Sequence, residues 1–152
     1  MALRDIEDQR GELSDASPAH LRGLIRRGEI TEQTGGMALG YMQGNLAILP
    51  ADLALDFARY CQRNPKPCPL VGVTDTGDPM LPTLGRDIDI RSDISAYNVY
   101  RNGELADTVN DITDLWCDDL VAFVLGCSYS FEEALLAGGV PMRHLEEDYL
   151  VP

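Results

Sequence analysis

The chain has 152 residues, 45% of them hydrophobic and 24% charged, enough for one ordinary domain that buries roughly 70% of its unfolded surface. Against 25 Asp and Glu stand 12 Lys and Arg, and the net charge of -13, with no basic cluster to reverse it locally, argues against a nucleic-acid partner. Apolar runs such as Leu120 to Leu125 fall far short of the ~20 residues that span a bilayer, and Met1 to Gly11 is charged where a signal peptide is apolar, so no membrane partner is expected.

The expected location is the cytoplasm, with Cys61, Cys68, Cys117 and Cys127 as reduced thiols, because no secretory signal accompanies them; their spacing holds no C-x-x-C pair to open a zinc site. Residues 1–16 are polar and read as a flexible lead-in to a single domain over 17–152. Ser17-Pro18 has the form of a helix cap followed by proline in the first turn. Leu21, Leu24 and Ile25 then recur at three- and four-residue steps, and Gly28 ends the element. The apolar run Asn45 to Leu49, closed by Pro50, predicts a buried strand. Ala51 to Arg63 predicts a helix with Leu53, Leu55, Phe57, Ala58 and Cys61 on a broad apolar side.

Asn64 to Pro69 holds three prolines and is expected to be a stiff, extended connector. Leu70 to Thr74 reads as a strand and Asp75 to Pro82 as a turn-rich loop around Gly77-Asp78-Pro79. Acidic and apolar residues alternate over Asp87 to Asp93 around Arg91, and the β-prone run Ala96 to Arg101 leads into Asn102-Gly103, the signature of a hairpin or edge strand.

Leu115 to Leu125 is expected to form the central core helix, with Asp118-Asp119 at the positive end of its dipole. Gly126-Cys127-Ser128 would break it. Ser130 and Glu133 then have capping-box spacing for a second helix, stopped by Gly138-Gly139. Helices alternating with short strands indicate the α/β class, a mixed sheet with flanking helices, with α+β as the alternative.

Several of these residues carry chemistry. A chain break that leads into a helix N-terminus presents backbone N–H groups beside a thiol and two hydroxyls, at Cys127, Ser128 and Ser130, a setting that binds anions and lowers a thiol pKa. The plainer reading makes Cys127 core filler and Ser130 a cap. Arg91, between Asp89 and Asp93, is either a receptor for a substrate carboxylate or part of a solvated charge alternation. Lys66 in the proline-rich segment and Asp78 in its turn are either ligand contacts or ordinary surface groups. Arg143-His144 can bind a carboxylate, but lies near the C-terminus, where fraying is common. Two histidines offer little for a histidine-based metal site, no G-x-S-x-G elbow is present, and a divalent cation held by carboxylates stays open.

At these segments the sequence resembles the bacterial hydro-lyase family related to the D-glutamate cyclase domain of mitochondria. The likeness runs through Gly40-Tyr41-Met42-Gln43-Gly44-Asn45-Leu46, Asn64 to Leu70, Gly77-Asp78-Pro79, Asp89 to Asp93, Leu115-Trp116, Asp118 to Val121, Gly126 to Glu132 and Arg143-His144. It implies an α/β fold, truncated relative to the family, and a carbon–oxygen lyase that dehydrates D-glutamate to 5-oxo-D-proline or acts on a related small carboxylic acid. Such a reaction requires a carboxylate receptor, a base for the amine, an acid for the departing oxygen and donors for the oxyanion. In this sequence Arg91 is the candidate receptor, with Lys66, Asp78 and Arg143 as further substrate contacts. Ser128 and Ser130 are candidate oxyanion donors, Glu132 or Asp93 the acid or base, and Cys127 an alternative acid or nucleophile. The rival expectation is a catalytically incomplete fragment that binds an acidic ligand or a partner chain, or self-associates, through an exposed apolar edge.

Overall fold

The structure, a computed structural model, describes residues 10–143; His144 lies outside the described residues. In chain order the elements are α1 (Pro18–Arg26), β1 (Gly44–Pro50), α2 (Ala51–Arg63), β2 (Leu70–Val73), β3 (Tyr97–Arg101), β4 (Glu104–Val109), a 3-10 turn (Thr113–Leu115), β5 (Leu120–Gly126), a second 3-10 turn (Ser128–Ser130) and α3 (Glu132–Ala137). Helices and strands combine in an α/β fold whose named strands all pair antiparallel. Among the described residues no helix is long and apolar enough to cross a membrane.

β5 is the axis of the fold. It lies between β1 and β2, with Gly44 opposite Gly126 at one end of the β1 ladder and Pro50 opposite Leu120 at the other. Val121, Ala122 and Phe123 are all buried. This overturns the expected core helix over Leu115 to Leu125. A short, uninterrupted apolar run satisfies a strand covered on both faces as well as it satisfies a buried helix, and the β-branched Val121 and Val124 favour the strand. Leu115 and Trp116 belong instead to the 3-10 turn and its exit, where the Trp116 indole Nε1–H donates to the Gly77 carbonyl at 2.9 Å. The acidic pair precedes the strand, and the Asp119 carbonyl receives the first N–H of α2, from Ala51, at 2.7 Å.

Helix α2 packs on this sheet through Ala54, Phe57, Ala58 and Cys61, spaced i, i+3, i+4, i+7. Phe57 meets Phe123 edge-on, with ring centroids 5.0 Å apart. Leu53 and Leu55 stand off that face and are exposed, so the apolar side of the helix is narrower than the sequence suggests. Asn64 to Pro69 is not extended. Residues 65–67 turn, and the Cys68 N–H donates back to the Asn64 carbonyl at 3.0 Å; a φ fixed near -65° suits a turn as well as an extended chain. The hairpin forms as its sequence predicts: Asn102 and Gly103 both take positive φ, 54° and 83°, as a two-residue primed turn requires. Asp87 to Asp93 is a turning loop joined to the chain at the Met80–Asp89 bridge, not a strand.

The core has two parts. Leu21 and Ile25 of α1 pack with Ile30, Met37 and Ala38, joined by Leu13 from a helical stretch at residues 10–13 within the expected lead-in. Leu81, Ile90 and Ala122 form the second, under the sheet. The flank of α1 links them, because Arg22 and Arg26 reach Asp93, three residues beyond Ile90.

Candidate functional site

The segment after β5 is where the fold concentrates reactive side chains. At Gly126 the strand ends, and the next N–H, that of Cys127, donates to the Gln43 carbonyl at 3.3 Å, one step beyond the β1–β5 ladder. Ser130 Oγ accepts from the Gln43 N–H at 2.9 Å and donates to the Gln43 carbonyl at 3.0 Å. The expected capping box therefore does not form. Phe131 occupies the cap position of α3 without a side-chain bond, and the Ser130 hydroxyl is spent across the fold, on a residue 87 positions away.

Gln43 is the organising residue, and sequence patterns gave it no role. Its amide donates to the Met37 carbonyl at 2.9 Å and accepts from the Thr34 hydroxyl at 2.9 Å, so the loop before β1 is locked onto the β5–α3 junction. Tyr129 adds a second tie, its hydroxyl donating to Gln33 Oε1 at 3.0 Å while its ring lies against Gly35. Burial pushes the Tyr129 phenol up, and the Glu132 carboxylate pushes it further.

Within this frame Ser128 Oγ donates to Glu132 Oε1 at 2.7 Å. Glu132 is buried, an uncommon state for a carboxylate, and Cys127, Ser128 and Ser130 are each half-buried around it. A hydroxyl already hydrogen-bonded to a carboxylate keeps its lone pairs for an incoming proton and can pass its own on to the carboxylate. Of the candidate residues, the structure brings together Cys127, Ser128, Ser130 and Glu132.

The others lie elsewhere. Arg91 does not offer an empty fork: its Nε donates to Asp89 Oδ1 at 2.9 Å and its Nη2 to Asp89 Oδ2 at 2.7 Å. That ion pair lowers the Asp89 carboxyl below its ordinary range and raises Arg91. Asp93 is buried, gripped by both Arg26 Nε and Nη2, and accepts the Asp89 N–H at 2.9 Å. The hydrogen bond from Arg26 to Asp93 raises the Arg26 pKa. An open depression lined by Arg26, Met80, Asp87, Asp89 and Ser92 lies beside this cluster. Asp78 Oδ1 accepts the Met80 N–H at 2.9 Å and so shapes its own turn; Lys66 and Arg143 are exposed. The four cysteines are unbridged, and burial raises the Cys61 thiol. Among the described residues, no three His, Cys, Asp or Glu side chains converge as a metal site.

Comparison with known proteins gives a consistent result. The profile of the family described as D-glutamate cyclase matches residues 121–152, which include β5 and the Cys127 to Glu132 segment. A protein of Ruegeria pomeroyi named "Putative hydro-lyase" is 59% identical over 140 residues, 92% of this chain and 51% of that protein. One of the same name from Jannaschia sp. (strain CCS1) is 59% identical over 139 residues, 91% of this chain and 52% of its own length. A third, from Rhodopseudomonas palustris (strain TIE-1), is 53% identical over all 152 residues, 56% of its length. The chain spans about half the length of the curated relatives it matches.

Proposed function

Because the chain belongs to the D-glutamate cyclase family of hydro-lyases, we propose that it supplies the Cys127 to Glu132 part of a carbon–oxygen lyase site. We further propose that the substrate is D-glutamate, cyclised in the cytoplasm to 5-oxo-D-proline with loss of one water. The observation that carries this reading is the 2.7 Å hydrogen bond from Ser128 Oγ to buried Glu132. In the cyclisation the α-amine attacks the side-chain carboxyl carbon, a C–N bond forms and a C–O bond breaks. Starting from the free amine and the protonated side-chain carboxyl, the nitrogen must lose one proton and the departing hydroxyl must gain one to leave as water. Ser128 and Glu132 are suited to both transfers: the hydroxyl takes the amine proton as its own moves to Glu132, and the reverse path returns a proton to the leaving oxygen. Ser130, which Gln43 holds in place, positions the segment. Cys127 is the alternative proton donor to the leaving oxygen.

The test is to incubate the protein with D-glutamate and L-glutamate, with and without a divalent cation, and to follow 5-oxoproline by mass, using this chain and one carried to the full length of its relatives. Product from the D isomer is expected, with Glu132→Gln and Ser128→Ala slowing it by about 10²–10⁴-fold, the usual worth of a general acid–base group. Absence of product from both chains would remove D-glutamate as the substrate. Full activity of Glu132→Gln would remove the proton-transfer role.

A further inference from the structure

The helix that closes the candidate site is built inside out. Of α3, only Glu132 is buried, whereas Leu136 is exposed, as are Phe131 at its start and Val140 just beyond its end. A six-residue helix has no stability of its own in water and depends on tertiary packing of an apolar face. The loop it is tied to is similar: Leu39, Tyr41 and Met42 are exposed, with Phe131, Tyr41 and Met42 each at 50–53% of full exposure. The two segments are neighbours, since Gln43 is bonded to Ser130 and a side chain at Gly40 would stand 3.2 Å from Glu133 Oε2. Six large exposed apolar side chains thus lie on the two segments that meet at the junction holding Ser128 and Glu132. Large apolar side chains left exposed on adjoining segments are the raw material of an interaction surface.

We infer that this rim is the docking surface for a polypeptide equivalent to the half of its relatives' length that this chain does not span. Two observations select that occupant. The relatives carry nearly as much chain again in the same molecule, the matches covering 51% and 56% of their length. A second copy of this chain is disfavoured, because each copy carries a charge of -13 and would repel the other. The inference rests on the proposed reading only for the importance of the junction; docking itself does not depend on the substrate.

The experiment co-expresses the 152-residue chain with a tagged polypeptide made of the Rhodopseudomonas palustris residues outside its matched segment. Recovery of a 1:1 complex is expected. Phe131→Ser and Tyr41→Ser should each weaken it by about tenfold or more, while Leu105→Ser, on the exposed β4, leaves it unchanged. All three substitutions lie on the surface, and matched melting curves show that each variant is folded. Failure to co-purify, a complex indifferent to the rim substitutions, or a homodimer of this chain that Phe131→Ser dissociates would each overturn the inference. Binding is read without turnover, so an error in the substrate leaves this result intact.

Discussion

Ser130 Oγ holds both main-chain groups of Gln43, accepting from its N–H at 2.9 Å and donating to its carbonyl at 3.0 Å. The one hydroxyl thus extends the β1–β5 pairing past the last residue of the strand. It fixes where the Cys127 to Glu132 segment begins, and with it the position of the Ser128–Glu132 pair.

Removing that hydroxyl strands a part-buried N–H and leaves the Gln43 carbonyl with the Cys127 N–H as its remaining partner among these bonds. Ser130→Ala is therefore expected to lower stability by about 1–3 kcal/mol, the cost of unsatisfied groups. Urea unfolding measures it. A variant as stable as the parent would show that water replaces the hydroxyl at no cost.

Asp93 is the counter-charge for Arg26 and Arg22 and ties the two halves of the core together. Asp93→Ala leaves two guanidinium groups without their shared counter-charge, holding only the Arg86 and Asp87 carbonyls. A buried pair broken on one side usually costs more, but Arg26 retains considerable access to solvent, so a loss of about 2–3 kcal/mol is expected. The same unfolding experiment decides it, and a loss below about 1 kcal/mol would demote the cluster to a surface ion pair.

The Arg91 fork holds Asp89 below the ordinary carboxylate range. A carboxyl with a depressed folded-state pKa adds stability above its unfolded value, near 3.9, and loses that contribution as pH falls through the folded value. Arg91→Gln should move the Asp89 titration upward, as read by carbon NMR of its carboxyl. It should cost stability at pH 7 and progressively less as pH drops below both values. An Asp89 titration that does not move would rule out the fork as its cause.

Gly77 takes a φ of 78°, and a side chain there would sit 2.8 Å from the Asp118 carbonyl oxygen. Gly77→Ala meets both obstacles. It also disturbs the loop that receives the Trp116 indole. A loss of about 1–3 kcal/mol is expected from the strained backbone, and a thermal melt within a degree of the parent would show that the turn can change type without cost.

Local chemistry was legible in the sequence where it decides local geometry. Ser17-Pro18 starts α1, with Ser17 Oγ accepting the His20 N–H at 3.2 Å, and Asn102-Gly103 makes its hairpin turn. What misled was a pattern with two physical solutions. The Leu120 to Leu125 run fits a buried helix or a strand covered on both faces, and only β1 and β2, distant in sequence, select the strand. The same holds for polar groups. Ser130 has the spacing of a cap but finds Gln43, and Asp93 looks like surface charge but finds Arg26, 67 residues earlier. Neither partner is visible at short range. Gln43 stands in the Gly40 to Leu46 segment of the family resemblance, the one signal that could have drawn attention to it.

The order of the strands also governs how this chain can be made. β1 and β2 do not pair with each other, and both find their hydrogen bonds on β5, the last of the described strands in chain order. Until Gly126 has left the ribosome, β1 and β2 have neither edge of the sheet to pair with. Their pairings close long loops, which slows folding and prolongs the exposure of unpaired strands. Premature termination between Val73 and Leu120 would release a chain with the two outer strands and no centre, unpaired edges that invite aggregation.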